Sequence, residues 1–257
     1  MEDLIKRAAD LVATAAPVVV FTGAGVSTES GIPDFRSPTG LWARHDPDDF
    51  SYQRFIGSDE GRRRYWSVGR ELYGTVRAAR PNPAHHAIAE LDGLGLLDCV
   101  ITQNIDNLHQ HAGTAPEKVI ELHGNATRVR CLACGVACTR DEVQARLEAG
   151  EGVPDCRACG GILKPHTILF GEPMPVRETQ LAEARSRTAS CFVVVGSSLV
   201  VYPAAYMPVY AKESGARLVI VNLTPTHLDH LADVVIPGKA AEVMARLVEA
   251  VRGRLAR

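Results

Sequence analysis

PVVVFTGAGVSTESGIPDFRS (17–37) sets an apolar run directly against a glycine loop. The first six residues do not alternate apolar with polar. They are mostly apolar and rich in valine, the pattern of a strand covered on both faces. Gly23 and Gly25 then open a turn in which backbone N–H groups can approach a phosphate, as in a dinucleotide loop. Thr28 stands where G-x-G-x-x-G has its third glycine, and no acidic residue ends a second strand roughly 20 positions on, so dinucleotide binding here takes a variant form. A tight turn also needs glycine without any ligand, and this motif by itself leaves both readings open.

The apolar signature recurs in CVIT (99–102), CFVVVG (191–196), RLVIVN (217–222) and DVVIP (233–237). Helical patterns separate these runs: an amphipathic stretch at 3–15, AHHAIAELDGLG after Pro83, and segments near 177–189, 203–214 and 240–254. Strands alternating with helices predict an α/β fold with a doubly wound parallel sheet. Two segments break the rhythm. Residues 36–80 are polar, carry Arg62, Arg63 and Arg64 in succession, and read as a loop plus a helical excursion. Residues 125–163 are charged and turn-rich and read as a smaller inserted zinc ribbon, leaving 1–35, 81–124 and 164–257 to the large sheet.

The zinc reading rests on Cys131-x-x-Cys134 followed by Cys156-x-x-Cys159, two turns that offer four thiolates at tetrahedral spacing. With four protein ligands there is no open position for water, so one structural zinc is expected and catalysis lies elsewhere. Gly135 and Gly160 follow each pair, where a tight turn is expected to aim N–H groups at sulfur. Cys99, Cys138 and Cys191 remain as reduced thiols, which points to a cytoplasmic protein. A net charge of −2 and 5% aromatic residues argue against a nucleic-acid surface. No apolar stretch reaches the roughly 18 to 20 residues of a membrane span. Lys6 and Arg7 precede the apolar residues 11–24 in the manner of a leader, but Glu2, Asp3, Asp10, Pro17 and Gly23 favour a helix followed by a strand.

Polar residues collect where strands end, the edge that faces the ligand crevice in open α/β sheets. TQNIDNLHQHAG (102–113) places Gln103, Asn104 and Asp106 after CVIT, suited to a ribose and a carboxamide or simply to a helix N-cap. Gly196, Ser197 and Ser198 follow or end the third predicted strand and Asn222 ends the fourth, as phosphate or ribose contacts or as turn residues. His123 lies in ELHGN (121–125), just ahead of the zinc insertion. His45, His85, His86, His109, His111, His166, His227 and His230 read as structural.

Taken in order, GAGVSTESGIPDFRS, TQNID, ELHG, the two cysteine pairs, LKPHTILFGE, GSSLVVYPAA and IVN (220–222) resemble the sirtuins, NAD-dependent protein-lysine deacylases, over residues 15–250. The resemblance implies a Rossmann-type sheet with a smaller zinc-ribbon and helical module. It implies NAD as cofactor and an extended acyl-lysine peptide as partner, in a chain taken as a monomer. It implies acyl transfer to ADP-ribose, giving nicotinamide, free lysine and O-acyl-ADP-ribose, with ADP-ribosyl transfer to protein and a non-catalytic NAD scaffold as rivals. Gly23, Ala24, Gly25, Thr28, Phe35 and Arg36 would meet NAD from the first loop. Gln103, Asn104, Ile105 and Asp106 would form the ribose and nicotinamide pocket. Gly196, Ser197, Ser198, Asn222 and Ala240 would hold the adenosine half. His123 would be the catalytic base, with Asn104 beside it. Phe170, Gly171, Glu172 and a strand at 199–201 including Val200 would clamp the peptide. Sirtuins that prefer acidic acyl groups carry Tyr-x-x-Arg; here Tyr65 is followed at that spacing by Val68, which implies neutral acyl chains.

Overall fold

Val18–Thr22 forms the first strand, β1, and all five residues are buried. The computed structural model describes residues 1–256. Val18 and Val20 face one apolar core while Val19 and Phe21 face a second. That explains the absence of alternation, since both faces of the strand are covered. Each such side chain contributes about 1.5–3 kcal/mol by leaving water.

β1 pairs in parallel with β2 (Leu97–Thr102) on one side and with β7 (Cys191–Val195) on the other. β3 (Val119–Glu121) extends the first edge, and β8 (Arg217–Asn222) and β9 (Val234–Pro237) the second, giving the order β3-β2-β1-β7-β8-β9. This is the doubly wound order, with the chain reversing direction across the sheet at β1 and β7. Helices α1 (Glu2–Thr14), α4 (Pro83–Gly93) and α9 (Ala240–Leu255) cover one face through Ile5, Val12, Ile88, Leu91, Val243 and Leu247. Helices α7 (Val176–Thr188) and α8 (Met207–Glu213) cover the other. β3 escaped the sequence reading because it is three residues long and only Ile120 is buried.

The remaining elements build a smaller body. β4 (Gly124–Cys131) lies between β5 (Ala137–Thr139) and β6 (Leu163–Thr167) in an antiparallel sheet. The small sheet therefore takes in residues beyond the expected 125–163 segment. Helix α6 (Arg140–Glu148) lies inside the stretch read as turns, started by a capping box between Thr139 and Glu142. Helices α2 (Tyr52–Gly57) and α3 (Asp59–Ala78) share one core with this sheet, in which Phe55, Tyr65 and Trp66 pack with Val129, Val143 and Leu163. Among the described residues no helix is long and apolar enough to cross a membrane.

Candidate active site

The loops after β1 and β7 meet at the point where the sheet reverses direction. Gly23 N–H donates to the Val195 carbonyl (3.2 Å) and Gly25 N–H to the Gly196 carbonyl (2.8 Å). A Cβ on Gly25 would lie 2.8 Å from the Gly196 oxygen, so this glycine is required by the neighbouring chain, as the ligand-free reading of the motif allows. The loop continues into two 3₁₀ turns, Ala24–Val26 and Thr28–Ser30, rather than the α-helix expected after a dinucleotide loop. Gly31, at φ 86°, ends the second turn.

Inside this loop the side chain of Ser27, 1% exposed, organises the site. Its hydroxyl donates to Asp106 Oδ2 (2.7 Å) and accepts from Asn104 Nδ2 (3.0 Å). Asn104 Nδ2 also donates to the Gly23 carbonyl (3.1 Å), and Asp106 Oδ1 accepts from Leu108 N–H (2.9 Å). The last bond is an Asx turn just ahead of the short helix α5 (Leu108–His111), whose N-cap is Asn107 without a side-chain cap bond, so neither Asn104 nor Asp106 is the N-cap. Burial raises the Asp106 carboxyl pKa, and the Ser27 and Leu108 bonds oppose that rise. Ser27 was not singled out from sequence; a serine in a glycine loop carries no mark that its side chain turns inward.

Gln103 Nε2 donates to Ser197 Oγ (2.9 Å), tying the end of β2 to the end of β7. The Gln103 carbonyl lies 3.0 Å from His123 Nδ1. A carbonyl only accepts, so the proton must sit on Nδ1 and Nε2 keeps its lone pair. Burial, partly opposed by this bond, lowers the His123 pKa below its ordinary value of 6.5 and favours the neutral ring. Gly124 follows at φ 74°, where a Cβ would lie 1.9 Å from the His166 carbonyl. Only glycine lets β4 leave beside His123.

His85 and His109 are buried and packed together. His109 Nε2 meets Thr22 Oγ1 at 2.9 Å, and the His85 and His109 rings lie 5.0 Å apart. Burial lowers their pKa values to about 4 and about 3. Asn222 Nδ2 closes its own turn on the Thr224 carbonyl (2.7 Å). Ala240 is buried at the start of α9, where Ala241 N–H donates to Glu29 (2.8 Å). Ser198 is exposed beside buried Ser197. Thr28 Oγ1 donates to the Gly25 carbonyl (3.1 Å), and the Ile105 carbonyl accepts from Ala126 N–H (2.8 Å). Phe35 and Arg36 sit on an exposed loop; Phe35 packs on Trp42 (5.4 Å), which reaches Phe170 (5.7 Å).

Phe170 has both backbone groups engaged: its N–H donates to the Phe50 carbonyl (3.0 Å) and its carbonyl accepts from Tyr52 N–H (2.9 Å). Gly171 follows at φ 77°, in the left-handed region, so the extended chain ends at Phe170 and Gly171 lies exposed in the turn beyond it. The Glu172 side chain turns inward, 2.8 Å from Lys164 Nζ, while accepting from Leu169 N–H (3.0 Å). It fixes the loop rather than facing a peptide. Residues 199–201 form no strand, which corrects the sequence expectation. Leu199 lies at φ 58°, outside extended backbone, and no neighbouring strand pairs there. Val200 is 49% exposed.

Tyr65 and Val68 are both buried on α3, and the Tyr65 ring packs edge-on against Phe50 and Phe55. Nearby arginines have other partners: Arg64 Nε donates to Asp49 (2.8 Å), and Arg62 to the Phe55 carbonyl (3.1 Å) and to Asp59. The sulfurs of Cys131, Cys134, Cys156 and Cys159 lie within 4.8 Å of one another. Cys131 and Cys159 are 3.5 Å apart and Cys134 and Cys156 3.7 Å, close to the ~3.8 Å edge of a tetrahedron with ~2.3 Å Zn–S bonds. The donor set fits one structural zinc. Ala133 and Cys134 N–H groups point at Cys131 Sγ, whereas Gly135 and Gly160 donate to the Cys131 and Cys156 carbonyls. The expected N–H to sulfur bonds therefore come from inside the first Cys-x-x-Cys turn.

The sequence profile of the Sir2 family matches residues 23–203. The chain is 48% identical to NAD-dependent protein deacetylase 1 of Bradyrhizobium diazoefficiens, over 95% of each protein. It is 46% identical to NAD-dependent protein deacylase 2 of Archaeoglobus fulgidus, over 98% of each. Its fold superimposes with a TM-score of 0.89 on a Sir2 protein solved with a deacetylated p53 peptide and 3′-O-acetyl ADP ribose, at 39% identity over 95% of this chain and 97% of that one.

Proposed function

The chain belongs to the Sir2 family, and from that premise we propose that it is an NAD-dependent protein-lysine deacylase whose base is His123. One observation carries the assignment of the base. His123 has its proton held on Nδ1 by the Gln103 carbonyl, so Nε2 is left as a free acceptor at the carboxyl edge of the sheet. The residues there suit NAD chemically: Gln103, Asn104, Ser197 and Asn222 offer donors and acceptors for ribose hydroxyls, and Asp106 an acceptor for a carboxamide. NAD supplies the nicotinamide leaving group and the ribose that receives the acyl chain.

His123 takes the proton of a ribose hydroxyl on Nε2 as the acyl group is transferred. Asn104 is oriented by the Gly23 carbonyl and Ser27 and lines the ribose side. Asp106, held at both oxygens, faces the carboxamide. Gly171 and the exposed chain at Val200 receive the acyl-lysine peptide as an added strand, which supplies the partner that residues 199–201 lack. The remaining contacts are Gly23, Ala24, Gly25, Thr28, Phe35 and Arg36 on one side and Gly196, Ser198 and Ala240 on the other. Residues 1–35, 81–123 and 168–257 form the NAD-binding part, with Gly124 and residues 164–167 going to the small sheet. The helices of 36–80 and the zinc ribbon form the second wall of the cleft, a division supported by their common core. The enzyme works in the cytoplasm; thiolate zinc ligands and the buried thiols Cys99 and Cys191 suit a reducing compartment.

Incubation with NAD and acetyl-lysine peptide, followed by mass spectrometry, tests this reading. Free lysine, nicotinamide and O-acyl-ADP-ribose are expected. An ADP-ribose adduct without deacylation, or no turnover, overturns it.

A further inference from the structure

Away from this cleft, α3 and the chain leaving α6 enclose a cavity of about 170 Å³, lined in part by Arg63, Trp66, Ser67, Arg70, Glu151 and Gly152. We propose that it is a binding site for a small polyanion, a molecule carrying phosphate or several carboxylate groups. Arg63 and Arg70 stand seven residues apart, two turns along α3, and so share one face of the helix. Both are exposed, and neither has a carboxylate partner among the described residues. The one acid in the lining, Glu151, is already neutralised, since its two oxygens accept from Arg146 at 2.7 and 2.5 Å. The cavity therefore carries a net positive charge.

Beneath the cavity two buried donors lack partners and add no acid to its lining. Trp66 is wholly buried, and its indole N–H has no acceptor. Arg140 stacks 5.1 Å over the Trp66 ring and donates to the Gly69 carbonyl (3.1 Å), but its Nη1 is buried without a partner. Asp141 and Glu148 face Arg140 from α6, yet Asp141 accepts from Tyr73 and Glu148 from Gln144. The Trp66 Nε1 atom lies behind the cavity surface, so an oxyanion is held by the Arg63 and Arg70 guanidinium groups, and the buried indole senses it at short range. The volume suits a small molecule and is too small for a folded partner.

The test follows the Trp66 indole N–H by NMR; the protein has two tryptophans, and Trp42→Phe removes the other signal. Wild-type protein is titrated with inorganic phosphate and, separately, with citrate, while sodium chloride holds the ionic strength constant. Saturable movement of the Trp66 signal by either probe, with a Kd of about 1 mM or tighter, is expected. Arg63→Gln/Arg70→Gln should weaken binding about tenfold or more while zinc content and Tm are retained. Saturation by phosphate alone identifies a phosphate site, and by citrate alone a carboxylate site. Movement by neither probe, movement that sodium chloride reproduces, or affinity retained in the double variant overturns the proposal. The readout does not depend on deacylation.

Discussion

Glu172→Leu would leave Lys164 as a buried, unpaired ammonium. The two side chains are 2% and 10% exposed and 2.8 Å apart. Breaking such a pair from one side typically costs about 3–5 kcal/mol. Lys164 Nζ keeps the Thr167 carbonyl at 2.5 Å and the Pro165 carbonyl at 3.3 Å, which puts the expected loss at the lower end, about 3 kcal/mol. For a chain of this size that corresponds to a fall in Tm of about 6–12 °C. Lys164→Met/Glu172→Leu should recover most of it, because no charge is then buried, and retain a deficit of about 1 kcal/mol from the orphaned Leu169 N–H. The same pair fixes the loop that carries Gly171, so KM for the acyl peptide should rise in the single variant while KM for NAD stays constant. Calorimetry and two-substrate kinetics on the single and double variants decide the matter. A double variant no more stable than Glu172→Leu, or equal rises in both KM values, would refute the reasoning.

His123→Ala should fold and bind NAD while kcat falls about 10²- to 10⁴-fold, and near-normal turnover would remove the base. Because burial lowers the His123 pKa, the active neutral ring is fully present above 6.5 and is lost only as pH falls through the lowered value. The acid limb of kcat/KM should therefore lie below 6.5, and a limb above that value contradicts the argument from burial. Elemental analysis should find one zinc per chain, and stripping it, at a cost on the order of 10 kcal/mol, should also loosen α3, which shares the core of the zinc ribbon; activity that survives verified metal loss counts against this. With Val68 in place of an arginine, and Arg62 and Arg64 held by Asp59 and Asp49, acetyl-, butyryl- or myristoyl-lysine should exceed succinyl-lysine in kcat/KM. If succinyl-lysine is the best substrate, an exposed arginine such as Arg44 or Arg63 has moved into the acyl pocket.

The doubly wound sheet was legible because its strands are covered on both faces, and such strands must be continuous apolar runs whatever their neighbours. The four cysteines were legible for a similar reason: zinc geometry is set within two short turns, and local spacing describes it almost completely. Asn104 and Asp106 were legible only as polar residues after a strand, open to a cap reading, and the role of His123 came from the resemblance to the sirtuins rather than from its own surroundings. Other features depend on residues far apart in the chain. Ser27 matters because Asn104 and Asp106, nearly eighty positions on, close upon its hydroxyl. The His123 tautomer follows from the Gln103 carbonyl, and the inward turn of Glu172 from Lys164. β6 looked like part of the large sheet until its pairing with β4 assigned it to the small one. The sequence by itself determined which segments must be buried and which thiols can share a metal, since those are properties of short windows. Only the tertiary structure decided which polar side chains are satisfied, and by whom, because a hydrogen-bond partner is a matter of distance in space and not of position along the chain.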